Sequence, residues 1–125
     1  MLRFANRRAT YGTYTPTLTN VANIASSTAY VCQWIRVGNV VTVSGRVDID
    51  PTSAATSTQL GMSLPFPSLI SNTRECAGVA FAPGIASLGA AVLGDAANDR
   101  AQLEYISVTD VTNQAMYFIF MYQVL

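Results

Sequence analysis

Apolar and polar residues alternate along residues 40–50, and this alternation is the clearest structural signal in the chain. The apolar positions are Val41, Val43, Val47 and Ile49, with Gly45 in register, and the polar positions are Thr42, Ser44, Arg46, Asp48 and Asp50. A period of two is that of a β-strand with one face buried and the other in water. The pattern therefore predicts a strand whose valine face lies in a core and whose polar face is solvated.

A second apolar run, residues 29–37, precedes this strand, and only Gly38 and Asn39 separate the two runs. Both turn residues adopt positive φ angles at little cost, as a tight hairpin turn requires. The two runs are therefore predicted to form an antiparallel β-hairpin.

Short apolar runs separated by turn residues continue through the rest of the chain. Further strands are predicted at residues 11–20, 57–64, 74–82, 85–94, 100–108 and 115–125, with a polar connector at residues 21–28 and a turn at residues 110–114. Pro16 lacks a backbone donor, which places the first strand at a sheet edge. No segment has a helical period. About eight antiparallel strands in a single domain, residues 11–125, predict an all-β fold, a two-sheet, jelly-roll-like β-sandwich.

The last predicted strand is apolar on both of its faces. One face carries Met116, Phe118, Phe120, Tyr122 and Val124, and the other carries Tyr117, Ile119, Met121, Gln123 and Leu125. A strand of this kind is covered on both faces. The core covers the first face, and we expect Tyr117, Ile119 and Met121 to form an interface with another subunit. The alternative is a cover of local loops.

Charge is sparse and unevenly distributed. Charged residues make up 11% of the 125 residues, against roughly 25% in an ordinary domain. All seven basic residues are arginines, and three of them lie in residues 1–10, interpreted as a basic leader or the remnant of a longer chain. The remaining residues carry four arginines and seven acids, a net charge of −3. Nucleic-acid binding is therefore not expected.

The two cysteines, Cys32 and Cys76, both fall inside predicted strands, which favours buried free thiols over a bridge between neighbouring strands. Without histidine they form no zinc site. Residues 76–94 carry no charge, and their length reaches that of a membrane-spanning helix. The Pro83-Gly84 turn signal in their middle instead favours two buried strands, so membrane insertion is not expected.

Catalytic chemistry has little support in the composition. Nucleophilic catalysis normally needs a nearby base, and the chain has neither histidine nor lysine. We therefore predict that the protein is not an enzyme and uses no metal or cofactor. One alternative is a glycosidase-like carboxylate pair, Asp48 and Asp50, and its competing interpretation is a solvated strand end. Another alternative is a calcium ion at Asp95, Asn98 and Asp99, where an Asx turn explains the residues without a metal.

Ligand contacts, if the protein makes them, are expected on wet strand faces and loops, because core positions are used for packing. Aromatic rings, carboxylates and amides are the groups that bind saccharides. The predicted ligand-binding residues are Tyr11, Tyr14, Arg46, Asp48, Asp95, Asn98 and Asp99. Trp34 lies between apolar neighbours and is predicted to belong to the core.

Five segments in order carry a family resemblance. They are residues 12–18 (GTYTPTL), residues 33–46 (QWIRVGNVVTVSGR), residues 60–65 (LGMSLP), residues 93–100 (LGDAANDR) and residues 116–122 (MYFIFMY). This order resembles the C-terminal β-sandwich modules of bacteriophage tail fibres and tailspikes. The resemblance runs from about residue 11 to the C-terminus.

The resemblance implies a homotrimer at the tip of a fibre or tailspike, located in the virion and made in the cytoplasm of the bacterial host. Some such modules bind host-surface glycans, so the implied partners are the rest of the fibre and a bacterial surface polysaccharide. A purely structural trimerisation module without a ligand is the alternative, and a glycan-processing enzyme is a third interpretation.

Overall fold

β-Strands make up most of the structure, a computed structural model that describes residues 9–108 and 113–124. The strands are β1 (Ala9–Tyr14), β2 (Leu18–Ala22), β3 (Ile24–Ala29), β4 (Cys32–Val37), β5 (Val40–Pro51), β6 (Ser57–Ser63), β7 (Cys76–Phe81), β8 (Gly89–Asp95), β9 (Arg100–Ile106) and β10 (Gln114–Gln123). Within those described residues the one helical element is a 3-10 turn at Thr73–Glu75.

Hydrogen bonds join the ten strands into one antiparallel sheet. Its order is β1-β4-β5-β10-β7-β8-β9-β6-β2, while β3 pairs with the second half of β5. The sheet curls strongly, as a half-barrel. The predicted all-β class is thus confirmed. The two-sheet, jelly-roll-like sandwich of about eight strands is not confirmed, because the described strands pair continuously rather than in two separate sheets.

The core lies on the inner face of this curled sheet. On β5, Val41, Val43, Val47 and Ile49 are fully buried, which confirms the predicted valine face. β10 lies beside β5 through ten paired residues and buries the face predicted for it: Met116, Phe118, Phe120, Tyr122 and Val124. Leucine and methionine side chains from β6 and β9 complete one hydrophobic cluster. The two long central strands therefore have one face fixed by the core.

The hairpin prediction is confirmed, with β4 and β5 joined at Gly38, whose φ is 61°. Two neighbouring predictions are wrong. The strand predicted over residues 11–20 breaks around Pro16, so its halves become β1 and β2 at the two ends of the sheet. The polar connector predicted over residues 21–28 contains β3, because Asn23 (φ 57°) turns the chain and the Ser/Thr-rich segment pairs along β5. This strand has polar side chains on both faces, so its sequence lacks the apolar–polar alternation from which the other strands were predicted.

The prediction for the two cysteines is confirmed: Cys32 and Cys76 are buried free thiols. Burial raises the pKa of the Cys76 thiol to about 12. The uncharged segment at residues 76–94 forms β7 and β8, which pair with each other as predicted. Among the residues that the structure describes, no helix is long and apolar enough to cross a membrane.

The close packing of β7 on β10 depends on Gly78. A Cβ atom built at this position would collide with the carbonyl oxygen of Ile119 and lie 2.6 Å from the Cα of Phe120. Only glycine fits this approach between the two backbones. β7 is thereby held beside β10, and the outer faces of the two strands become one surface.

Two predictions fall at the limits of the described residues. Most of the basic leader at residues 1–10 lies outside them, although Ala9 and Thr10 belong to β1, so the β domain begins before residue 11. Most of the turn predicted at residues 110–114 also lies outside the described ranges, and Gln114 already belongs to β10.

Candidate functional site

The outer face of β10 is exposed, in contrast to its inner face. Tyr117, Ile119 and Met121 keep 40%, 47% and 52% of their surface accessible. They are the three residues predicted for a subunit interface, and the structure places all of them on one side of the sheet. Because β10 lies between β5 and β7, this row stands near the middle of the outer surface.

Neighbouring strands extend the same surface. Tyr117 is directly opposite Phe81 of β7, and Ile119 is opposite Val79. Phe81 and Val79 are 55% and 61% exposed. The rings of Phe81 and Tyr117 meet edge to face with their centroids 5.6 Å apart. We call the following set the outer apolar face: Ile35, Val79, Phe81, Tyr117, Ile119 and Met121.

The outer apolar face is comparable with the largest apolar patch of a typical monomer. It comprises five partly exposed side chains on the paired strands β7 and β10, and Ile35 on β4, which β5 separates from β10. The largest apolar patch on a typical monomer is roughly 300–600 Å² and is often functional. No loop within residues 9–108 and 113–124 covers it, so the alternative of a local loop cover is wrong for this part of the chain. A surface of this kind is typical of an interaction site.

A polar cluster centred on Asp48 borders the outer apolar face. The Arg46 Nε donates to Asp48 Oδ1 at 2.9 Å, and Tyr30 donates its hydroxyl proton to Oδ2 at 2.7 Å. The Asn113 amide donates to the same Oδ2 at 3.2 Å. The Arg46 guanidinium also stacks over the Tyr30 ring, 4.6 Å from its centroid. Arg46 of β5 is opposite Tyr117 of β10, so the polar cluster meets the outer apolar face at this pair.

The prediction that Asp48 lies on a wet face is wrong, because only 3% of the residue is exposed. The polar side chains gathered around Asp48 cover its carboxylate, which strand periodicity alone does not reveal. Burial acts to raise the pKa of Asp48, but the hydrogen bonds from Arg46 and Tyr30 and the charge of Arg46 outweigh it, and the pKa lies below its ordinary value. A carboxyl group held ionised in this way is poorly suited to donate a proton in glycoside cleavage.

Arg46 and Tyr30 stay accessible while they hold Asp48. The Arg46 side chain is 43% exposed, and hydrogen bonding to Asp48 raises its pKa. The same carboxylate raises the pKa of Tyr30 by accepting a hydrogen bond from its hydroxyl group. Arg46 uses Nε and Nη2 for Asp48, which leaves its Nη1 group outside this ion pair. The cluster is therefore a rigid, internally paired unit with one accessible cation.

The residues predicted in the Asp95 loop make their side-chain hydrogen bonds within the chain, Asp95 and Asn98 with each other and Asp99 with Ser68. Asp95 Oδ2 accepts hydrogen bonds from the Asn98 amide at 2.9 Å and from Arg100 Nε at 2.8 Å. Asp99, with a φ of 50°, accepts from the backbone N–H and the hydroxyl of Ser68. Burial acts to raise the pKa of Asp95, and its bonds to Asn98 and Arg100 lower it overall. The Asp95–Asn98 contact is that of a turn, as the Asx interpretation predicts, whereas Asp99 ties the turn to Ser68 in a distant segment.

The two predicted tyrosines differ from each other. Tyr11 on the edge strand β1 is 84% exposed, which agrees with its prediction as an exposed aromatic. The same prediction for Tyr14 is wrong, since its ring packs against the core and its hydroxyl donates to the Ser63 carbonyl at 3.0 Å. The predicted core role of Trp34 is confirmed in part: it is half-buried against the core and meets the Phe66 ring edge to face at 4.7 Å.

The predicted ligand-binding residues do not form one site. Arg46 shares a row across the sheet with Gly89 of β8, and Asp95 lies six residues further along β8. At the spacings of a β-sheet this separates the two groups by about 14 Å across the strands and roughly 20 Å along them. Within the described parts of the chain, no three histidine, cysteine, aspartate or glutamate side chains gather as a metal site would need.

A surface pocket of about 580 Å³ opens at the end of the outer apolar face. Its floor includes Met121 and Ala77, and Leu69 and Ile70 form an apolar wall. The polar groups that line it are Arg74, Glu75 and Gln123. The pocket and the apolar face therefore form one continuous surface.

Sequence reasoning missed several members of these sites. Val79 and Phe81 were not identified because their strand is rich in small residues. They alternate with Gly78 and Ala80, and this alternation was the signal that could have placed them together on one face. The contact of Asn113 with Asp48 joins residues 65 positions apart, and no local pattern could indicate it.

Neither the protein-family models nor the curated proteins searched contain a match to this chain.

Proposed function

We propose that this chain is a non-enzymatic assembly module of a bacteriophage tail fibre or tailspike, which forms a homotrimer through its outer apolar face. The observation that carries the proposal is the exposure of five large apolar side chains on the paired strands β7 and β10, with Ile35 exposed on the same side of the sheet beyond β5. The sequence resemblance adds the fibre context, the trimer and the location in the virion.

A second copy of the chain is a suitable cover for this face. All six side chains are uncharged, so one copy does not repel another. The neighbouring Arg46 charge is already paired with Asp48. Stable interfaces bury about 800 Å² per partner around an apolar centre, and the outer apolar face is of the right size to be that centre.

The proposal includes the two-layer character of sandwich modules. In this interpretation the half of the sheet with β5 and β10 and the half with β6 and β9 act as two layers around one core. Trimer contacts then use the outer surface of the first layer only, which leaves the second layer facing solvent.

Contact with a bacterial surface polysaccharide is the second candidate function. It is favoured by the accessible Arg46 guanidinium, a charged hydrogen-bond donor held in place by Asp48 and by the Tyr30 ring on which it stacks. The structural module without a ligand remains the alternative to it. Asp48, Asp95, Asn98 and Asp99 support saccharide contact less well, since their polar atoms are bonded within the chain.

Assembly is tested by placing one charge on each half of the outer surface. Val79→Lys introduces a cation into the outer apolar face, and Gln59→Lys introduces the same residue on β6, opposite Glu104. Val79 is exposed and Gln59 is half-buried on the outer surface, so we expect both variants to fold. Sedimentation velocity at micromolar concentration should give three times 13.4 kDa for the wild type and Gln59→Lys, and 13.4 kDa for Val79→Lys. A monomeric wild type would contradict the proposal.

Saccharide contact is tested separately, by screening the assembled protein on an array of bacterial glycans. Binding that weakens on Arg46→Ala, with the trimer intact, supports a glycan site at this cluster. Binding unchanged by that substitution removes the cluster from the site. An array without any binding favours the purely structural module.

A further inference from the structure

We propose that the surface pocket beside Met121 binds a small anionic ligand with an apolar body, namely a carboxylate carried on an alkyl chain or an aromatic ring. The residues that line the pocket all belong to one chain, so a single copy can hold such a ligand. The inference therefore does not depend on the homotrimer proposed above.

The pocket has the size of a small-molecule site. Its volume of about 580 Å³ lies within the roughly 300–1,000 Å³ that is typical of ligand clefts. Ala77 of β7 stands opposite Met121 of β10, and its short side chain leaves open the space beside the longer one. Leu69 and Ile70 form an apolar wall next to this floor. The apolar body of a ligand is removed from water when it enters such a lining.

The wall of the pocket is held in place by hydrogen bonds of its own chain. Leu69 donates its backbone N–H to the Gln123 carbonyl at 3.0 Å. Ile70 donates its backbone N–H to the Ser68 hydroxyl at 3.1 Å, and that hydroxyl also bonds to Asp99 of the β8–β9 turn. A site that is ordered beforehand loses little conformational entropy when a ligand binds, so the pinned wall favours binding.

One of the two charged groups in the lining, the Glu75 carboxylate, is already engaged. It accepts hydrogen bonds from the Ser71 hydroxyl at 2.7 Å and from the Ser71 backbone N–H at 3.1 Å. These bonds, together with the nearby charge of Arg74, hold the pKa of Glu75 below its ordinary value. Glu75 is therefore an ionised group bonded within its own loop, and the pocket offers no free acceptor there.

The other charged group, the Arg74 guanidinium, is available to a ligand. Within residues 9–108 and 113–124 it takes part in no ion pair. The other described arginines are each bonded within the chain: Arg46 to Asp48, Arg100 to Asp95 and Arg36 to the Gly38 carbonyl. A free guanidinium binds a carboxylate through two parallel, charge-assisted hydrogen bonds.

The free cation and the apolar lining together define the ligand. An anionic group pairs with Arg74, and an apolar body covers Leu69 and Met121. A neutral apolar ligand leaves the guanidinium without a partner, and a cationic one is repelled by it. An alkyl chain and an aromatic ring both satisfy the lining, so the chemistry that they share is an apolar carboxylate.

Titration calorimetry tests the ligand class with three probes: decanoate, naphthoate, and decyltrimethylammonium as a cation with the same chain as decanoate. We expect the wild type to bind a carboxylate and not the cation, and the tighter carboxylate identifies the body as an alkyl chain or a ring. Arg74→Gln should weaken carboxylate binding about ten-fold, and Arg74→Lys, which keeps the charge, should restore most of it. Failure to bind either carboxylate, equal binding of the cation, or no effect of Arg74→Gln would overturn the proposal.

A second pair of variants locates the binding. Ala77→Leu fills the pocket floor from β7, and Ala96→Leu places the same side chain on the β8–β9 turn. Both alanines are exposed, so we expect both variants to fold. Ala77→Leu should abolish carboxylate binding and Ala96→Leu should match the wild type. Binding that survives Ala77→Leu would overturn the pocket as its site. Sedimentation of the same samples keeps this result separate from the assembly proposal, which a monomeric wild type would contradict.

Discussion

The outer surface of the sheet has two halves with opposite chemistry. On β10 and β7, Ile119 and Val79 stand opposite each other and are exposed. Further along the same row, on β9 and β6, Glu104 stands opposite Gln59. Gln102 donates to Glu104 at 2.7 Å, so the polar half carries its own hydrogen bonds. The two halves face away from the same core.

The core explains why the inner face of each half is apolar, but it does not explain the apolar residues on the outer face of β10 and β7. On the inner face both halves bury aliphatic or aromatic side chains, as Phe120 does on β10 and Leu103 does on β9. Folding of a single chain therefore requires apolar residues on the inner faces of both halves. It does not require them on the outer face of either half. The polar half is accounted for by contact with solvent, and the apolar half is the reason for our proposal that a partner covers it.

The largest expected effect is at the strand contact that supports the apolar half. Gly78→Ala forces a Cβ atom into the backbone of β10, and we expect a loss of about 2–4 kcal/mol in the free energy of unfolding. Gly89→Ala is the matched control on β8, where the nearest atom to a new Cβ is 3.7 Å away. Urea denaturation at matched protein concentration measures both. Equal losses in the two variants would contradict the close approach.

A smaller effect is expected at the polar cluster that borders the apolar half. Asp48→Asn removes the charge that Arg46 and Tyr30 hold by hydrogen bonds. Removing one partner of a buried charged hydrogen bond costs about 1–3 kcal/mol. Denaturation at pH 7 measures this cost. A variant as stable as the wild type would indicate that the carboxylate is not needed there.

The same pair of proteins is expected to differ in its response to acid. The folded pKa of Asp48 is lower than its unfolded value, about 3.9 in model peptides. The stability that the carboxylate contributes is therefore complete above pH 5 and is lost as the pH falls through the folded pKa. Glu75 and Asp95 also have lowered pKa values and act in the same direction. Asp48→Asn should show a shallower loss of stability below pH 5, and parallel curves would contradict this.

The smallest effect on folding is expected from a pair of outer-face substitutions, one in the apolar half and one in the polar half. Ile119→Gln and Glu104→Gln change residues of the same row to the same amide. Neither side chain is part of the core, so each should change the stability of the single chain by about 0.5 kcal/mol or less. Only Ile119→Gln should weaken association, which sedimentation of the two variants measures. Weaker association in both would remove the distinction between the halves.

Much of the fold followed from periodicity, and its limits have physical causes. The alternation in β5 and β10 predicted which face is buried, because a core requires that pattern. Curling of the sheet, by contrast, depends on how ten strands twist and pair, and β3 has no apolar face to indicate it. The outer-face residues of β10 were predicted correctly as a row on one side of the strand. Asp48 was wrongly predicted to be solvated, because Asn113 and Tyr30, which are remote from it in sequence, bond to its carboxylate and cover it.

The most direct test of the account uses the oxidation of methionine side chains. Met62 and Met116 are fully buried in the core, while Met121 is exposed on the outer apolar face of a single chain. If a second copy covers this face, peroxide followed by peptide mapping will oxidise Met121 in the assembled wild type as slowly as Met62. In dissociated Val79→Lys, Met121 will react much faster than Met62. Rapid oxidation of Met121 in the wild type, at a rate equal to that in the variant, would contradict the account.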